Sequence, residues 1–390
     1  MKKDTKLIHA GRKSKWTNKA VSPPVYHAST IIHETVADLN DAIKNIPNNS
    51  MFYGRRGTPT HFAFREAMVE LEGGFGCLVY PSGLAAINAA LMTYLSAGDH
   101  LLMVDTVYGP TRTLCDTVLK RMGIEVTYYD PLIGDGISDF IKENTAVIFT
   151  ESPGSVTMEI QDIPAISSIA RENDIIVMLD NTYGNLINFD PYSHGVDVSI
   201  QAATKYIVGH SDAMLGTITT REKYWKKLFH QSYAMGYTAG PDDIDRAMRG
   251  LRTLKTRLIQ HEKSALKVAK WLAGQDIVDR ILHPAFDGCP GHDIWKRDFN
   301  GSNGLFSFTL NSGNDQAITA LLDNLKLFKM GFSWGGFESL IMSFYDLKNE
   351  RNLGLWDDYG PLVRLHIGLE NADDLIADLY QGLEHFKTAL

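Results

Sequence analysis

The chain has 390 residues, 44% hydrophobic and 22% charged, with a formal net charge of −8. That is enough for two domains of ordinary size, and without a Lys/Arg-rich run it argues against nucleic-acid or anionic-membrane partners. Three scattered cysteines (Cys77, Cys115, Cys289), no apolar signal segment and no apolar run near the ~20 residues of a membrane helix lead to the expectation of a cytoplasmic protein without a disulfide framework.

Residues 1–60 read as an irregular, extended arm, marked by Pro23-Pro24, Pro47-Asn-Asn-Ser50 and Tyr53-Gly-Arg-Arg-Gly-Thr-Pro59. An arm of this kind rarely folds alone, and in oligomers it lies on a neighbour. Helical spacing starts at 61–72 (Phe62, Ala63, Ala67, Met68, Leu71) and stops at Gly73-Gly74. Short apolar runs follow at 77–80, 101–104, 125–129, 146–149, 175–179, 198–200 and 216–219, with helices expected over 84–95, 111–122 and 163–173. Strands alternating with helices predict βαβ units and a mainly parallel sheet buried on both faces. A long helix over 242–273 bridges to a smaller α+β domain, with strands at 305–310 and 363–367 and helices at 316–324 and 372–387. The expected division is an arm (1–60), a large domain (61–256) and a C-terminal domain (257–390).

Ligands of such sheets bind at the carboxyl ends of the strands, so the polar residues there are the candidates. Lys205, in Ala202-Ala-Thr-Lys205-Tyr, has small, weakly polar neighbours; desolvation lowers a lysine's pKa and makes it an amine nucleophile able to form a Schiff base with a carbonyl. Pro81-Ser82-Gly83-Leu84 joins a strand to a helix and offers backbone N–H groups to an anion. Asp180 closes an apolar run, where a carboxylate needs a partner. Tyr108 sits at a turn after a strand and can stack on a planar ring. Arg364 lies inside an apolar strand, and its fork suits a carboxylate. The Gly-rich turn Ser333-Trp334-Gly335-Gly336 brings backbone close to a ligand.

Each feature alone has an ordinary explanation: a solvated lysine at a strand end, a capped helix start, an N-cap aspartate, a surface-turn tyrosine, an internal Arg salt bridge. Together they give an aldehyde-binding lysine, an acid for a ring nitrogen, a stacking ring, a phosphate cup and a carboxylate clamp, a set that pyridoxal 5'-phosphate (PLP) explains. No His-Glu-x-x-His or Cys-x-x-Cys occurs, so no metal site is expected. Gly73-Gly-Phe-Gly76 precedes its strand and is not read as a dinucleotide fingerprint. His210 and His366 read as packing or hydrogen-bonding groups.

At this point the chain resembles the Cys/Met-metabolism group of fold-type I PLP enzymes, and within it the bacterial β-lyases. The resemblance runs through Phe52-Tyr-Gly-Arg-Arg-Gly-Thr58, Glu70-Leu-Glu-Gly-Gly74, Glu151-Ser-Pro-Gly-Ser155, Asp197-Val-Ser-Ile-Gln-Ala-Ala-Thr-Lys-Tyr206, Gly209-His-Ser-Asp-Ala213, Ser333-Trp-Gly-Gly336 and Arg364-Leu-His-Ile-Gly-Leu-Glu370. It implies that Lys205 carries the cofactor, Asp180 pairs with its ring nitrogen and Tyr108 stacks on the ring. Gly83, Leu84 and Thr204 would hold the phosphate, with Tyr53 and Arg55 reaching that of a neighbouring subunit in a homotetramer of active dimers. Arg364, with Ser333 and Trp334 beside it, would hold the carboxylate of a small sulfur amino acid. The chain departs from many relatives at Ala202 (where they carry Ser), at Ser155 (Asn) and at Pro110 (Cys in methionine γ-lyases). Phe332 stands where γ-acting members often have Glu, and with Trp334 it matches the β-lyase pattern. The implied reaction is β-elimination of L-cystathionine to homocysteine, pyruvate and ammonia, in methionine biosynthesis. The alternatives are a broader cysteine-S-conjugate lyase, a γ-lyase or γ-synthase, or a regulator that keeps the fold and binds a partner protein.

Overall fold

The structure is a computed structural model that describes residues 1–344, 351, 353 and 360–390. Seven strands build the larger sheet: β1 (Gly76–Tyr80), β2 (His100–Val104), β3 (Glu125–Tyr129), β4 (Thr145–Glu151), β5 (Ile176–Asp180), β6 (Val198–Ala202) and β7 (Gly216–Thr220). Their order is β1-β7-β6-β5-β4-β2-β3, and β7 runs antiparallel to both neighbours while the rest are parallel. The near-continuous apolar runs suit this arrangement, since helices cover both faces and β2 is buried throughout.

The smaller sheet has β8 (Val278–Leu282), β9 (Leu305–Leu310), β10 (Lys329–Met330), β11 (Leu340–Phe344) and β12 (Leu362–His366), in the order β10-β11-β12-β9-β8. The helix Pro241–Leu272 serves both cores. Ile244, Leu251, Leu254 and Leu258 pack with Phe62, Met68 and Tyr206, whereas Ala265, Val268 and Leu272 pack with Phe306 and Phe308.

The strands and helices expected from the apolar periodicity are present, with three differences. The arm is not irregular throughout. It contains the helices Lys3–His9, Ser14–Thr17 and Val36–Lys44. The first packs on its own chain: Arg252 donates to the carbonyls of Leu7 and Ala10 (2.6 and 3.0 Å), and Lys255 pairs with Asp4. Helices this short are unstable alone, so tertiary contacts decide them. The helix expected over 111–122 starts at Gly109, directly after Tyr108, and widens into a π-type turn over Leu114–Leu119. The helix Glu222–Ala234 and the strands β8, β10 and β11 were not signalled; β8 lies at a sheet edge with Asp279 and Arg280 exposed, which hides its alternation.

Candidate active site

The ends of the parallel strands converge on one cavity of about 230 Å3. Register puts Glu151, the last residue of β4, beside Asp180, the last of β5, and Asp180 beside Ile200 of β6, which runs on two residues to Ala202. Lys205 follows β6 in a tight turn. Its Nζ donates to Ser333 Oγ at 2.7 Å and lies 5.4 Å from the Trp334 ring. Burial, and then the Arg364 guanidinium, lower its pKa from 10.5 to about 8 against the opposing pull of Asp180.

The Ser333 turn reaches the lysine because of its backbone. Ser333 itself has φ +95°. Gly335 has φ +86°, and a Cβ there would lie 2.8 Å from Tyr206 N and 2.9 Å from Lys205 C. Only glycine allows that approach without displacing the lysine's own peptide.

Asp180 is buried, and burial raises its pKa. The Thr182 amide (3.0 Å) and hydroxyl (2.5 Å) both donate to Oδ1. Asp180 also lines the cavity, so Oδ2 remains for a donor there. The Thr182 oxygen in turn accepts from the Ala202 amide at 2.9 Å, joining the ends of β5 and β6.

Tyr108 keeps 43% of its surface exposed and lines the cavity. Its amide donates to Glu151 Oε2 at 2.9 Å. Burial, and then Asp180, push the Glu151 carboxyl well up. Three residues before Tyr108, buried Asp105 accepts from Arg112 (2.8 Å) and Arg351 (2.9 Å), which fixes the base of this turn.

Arg364 projects from β12 into the cavity, its guanidinium 5.1 Å from the Phe344 ring. Among the described residues no carboxylate pairs with it, and its guanidinium faces the cavity. Burial lowers its pKa to about 10, and it stays charged at neutral pH.

The helix Gly83–Tyr94 points its start at the same space. Ser82 Oγ takes the Ala85 amide at 3.1 Å. That leaves the Gly83 and Leu84 amides, which a first helical turn cannot pair internally. A Cβ on Gly83 would come 2.6 Å from Ala202 Cβ, so the departure at Ala202 is matched by close packing of the helix start on β6. Thr204 also lines the cavity, but its hydroxyl is engaged by Leu215: it accepts the amide at 2.9 Å and donates to the carbonyl at 3.2 Å. Releasing the longer bond frees the proton for an anion.

Lys205, Asp180, Tyr108, Gly83, Leu84, Thr204, Ser333, Trp334 and Arg364 therefore share one cavity. Tyr53 and Arg55 do not line it; Tyr53 is 43% exposed, and Arg55 donates to the Tyr233 carbonyl at 2.8 Å. Sequence reasoning gave no role to Glu151 or Thr182. The signal for Glu151 was the one that singled out Asp180, an acid closing an apolar strand. Among the described residues no cluster of His, Cys, Asp and Glu is placed to hold a metal, and no helix is long and apolar enough to cross a membrane.

These residues fit PLP. Asp180 presents an oxygen to a cationic ring nitrogen, unpaired helix amides suit a phosphate, and an amine of depressed pKa suits an aldehyde.

The comparisons with known proteins agree. A family profile described as "Cys/Met metabolism PLP-dependent enzyme" matches residues 4–384. A cystathionine beta-lyase from Salmonella typhimurium is 47% identical over 97% of each chain, and one from Escherichia coli is 47% identical over 98% of each. An L-alanine/L-glutamate racemase of Wolbachia pipientis is 38% identical over 98% of this chain and 97% of its own. Among solved structures, a cystathionine gamma-lyase from Lactobacillus plantarum superposes with a TM-score of 0.89 at 30% identity, covering 99% of this chain and all of that one. The chain belongs to the Cys/Met metabolism family of PLP-dependent enzymes.

Proposed function

We propose that this chain is a carbon–sulfur lyase that converts L-cystathionine to homocysteine, pyruvate and ammonia in methionine biosynthesis. The observation that carries the reading is the wall facing Lys205. Among the described residues lining the cavity, Lys205 is the single amine, and Phe332, Ser333 and Trp334 opposite it add no further base. β-Elimination needs one proton removed, at Cα; γ-elimination needs a second, at Cβ. The names of the two cystathionine beta-lyase relatives support the same choice.

Arg364 holds the substrate carboxylate through its fork. Lys205 would hold the cofactor by its aldehyde group, and its amine, when free, would take the Cα proton as general base. PLP bound here supplies an electron sink for the charge left at Cα. Asp180 would hold the ring nitrogen and keep it cationic, and Tyr108 would offer its ring for stacking. Lys205 Nζ returns its proton to the leaving sulfur, and Ser333 Oγ marks the amine's resting place. The three-carbon fragment leaves as an enamine that water hydrolyses to pyruvate and ammonia.

The active assembly in this reading is a cytoplasmic homotetramer of active dimers. Tyr53 and Arg55 from the 1–60 arm complete the neighbour's phosphate site, and the chain divides into large (61–256) and C-terminal (257–390) domains. The exposure of Tyr53 and its distance from its own chain's cavity support this.

The test is product analysis of purified, PLP-loaded protein given L-cystathionine. Equal pyruvate and homocysteine is the expected result. 2-Oxobutyrate with cysteine would replace this reading with γ-elimination, and turnover restricted to other cysteine S-conjugates would replace the substrate. Racemisation is a second reading, favoured by the Wolbachia relative, because it begins with the same Cα proton removal; conversion of L-alanine to D-alanine would support it.

A further inference from the structure

β12 places two unlike side chains on one face, because residues two apart in a strand point the same way. Arg364 enters the cavity. His366 instead lies buried beneath the Ser333-Trp334-Gly335-Gly336 turn. Its Nε2 is 3.1 Å from the Gly335 amide and 3.1 Å from the Gly336 carbonyl. In one neutral tautomer Nε2 accepts from Gly335, and in the other it donates to Gly336. Either way the ring grips the turn by its peptide groups.

We propose that His366 is a positioning residue of the lyase reaction, acting through the turn to hold the Ser333 hydroxyl where Lys205 meets it. The grip has something to work against. Ser333 sits in a backbone region that a non-glycine residue occupies at a cost, and such conformations persist only when neighbours impose them. Gly335 lies between the His366 ring and the Lys205 peptide, so a turn released by His366 moves off the lysine. Farther along, Glu338 accepts from Ser211, and Glu370 accepts from the Ser339 amide and hydroxyl. Those ties hold the far end of the segment, and at its near end His366 holds the peptide groups of Gly335 and Gly336. Tyr206 and His261 pack against the imidazole, Trp334 packs on Tyr206, and the imidazole is kept from solvent. Burial keeps it neutral, with a pKa near 3, so it is not itself an acid or base in the reaction.

The inference rests on the lyase reading only for its assay, and a double-mutant cycle separates the two. H366M keeps bulk and removes the hydrogen bonds; H366Q restores a polar atom near the Nε2 position. In an otherwise unchanged chain, H366M is expected to lower kcat/KM for L-cystathionine by about tenfold, with H366Q recovering most of it. In an S333A background, H366M is expected to change kcat/KM by less than about twofold, because the group it positions is gone. Competitive acetylation of the cofactor-free proteins gives a readout independent of turnover. The Lys205 labelling midpoint should fall in both H366M and S333A, and no further in the double variant, with Asp180 and Arg364 still facing the amine throughout. Equal losses from H366M in both backgrounds, or a loss that H366Q does not recover, would overturn the proposal and leave His366 a packing residue. An unsubstituted chain that makes no pyruvate would refute the lyase reading instead.

Discussion

Replacing Lys205 with Met should abolish turnover and yet make the cofactor-free protein more stable at neutral pH. The folded chain lowers the lysine's pKa from 10.5 to about 8, mainly by burial. At 1.36 kcal/mol per pKa unit, holding the charged amine costs the folded state roughly 3 kcal/mol. The hydrogen bond to Ser333 returns about 1 kcal/mol, so K205M, with an unbranched chain of similar length, gains about 2 kcal/mol at most. The sign follows from proton binding. Between the two pKa values the unfolded lysine keeps its proton and the folded one has lost it, so wild-type stability rises with pH across that window. The advantage of K205M is therefore full below the folded value and vanishes toward the unfolded one. Urea unfolding of both cofactor-free proteins at about pH 7 and about pH 9.5 measures it. A K205M protein that is less stable at both values, or a difference that does not change with pH, would refute the reasoning.

Substitutions at three other positions probe the cavity's walls. R364K keeps the charge but loses the two-pronged geometry; KM for L-cystathionine should rise about tenfold or more with a smaller change in kcat, read from initial rates of pyruvate release. E151Q preserves an acceptor for the Tyr108 amide and should stay within a few-fold of wild type. E151A strands that amide and should lose about 1–3 kcal/mol of stability as well as activity, and an E151Q as weak as E151A would mean that Glu151 works ionised. G83A puts a methyl against Ala202 and should displace the helix start, costing about 1–3 kcal/mol and weakening PLP retention, followed by cofactor absorbance after dialysis.

The site was legible in sequence wherever a chemically active group interrupts an apolar pattern. Lys205, Asp180 and Arg364 each stand in or directly after a buried run, where an unpartnered charge is too costly to be incidental. Glu151 was missed although it obeys the same rule, because the apolar run stops at Phe149 and the strand extends two residues beyond it. Thr182 bridges Asp180, two residues back, to Ala202, twenty residues on, and His366 bonds to a turn some thirty residues earlier; no local pattern announces such distant partners. The short helices of the arm were hidden for a related reason: what stabilises Lys3–His9 is Arg252, some 240 residues later in the chain.

The helix that serves both cores has an evolutionary corollary. In the proposed reading the residues that would meet the cofactor (Lys205, Asp180, Tyr108 and the Gly83 amide) lie at the ends of the larger sheet, while those that would meet the substrate (Ser333, Trp334, Arg364) lie on the smaller one or in the turn before β11. Proposed cofactor and substrate contacts are thus partitioned between the two sheets, although Leu282, Leu305 and Leu362 of the smaller one pack into the larger core. Substitutions on the smaller sheet that leave Ser333 and its hold on Lys205 intact can alter the substrate wall, and a fold divided in this way lends itself to diversification. A gamma-lyase that superposes with a TM-score of 0.89 at only 30% identity is what such a partition would leave behind.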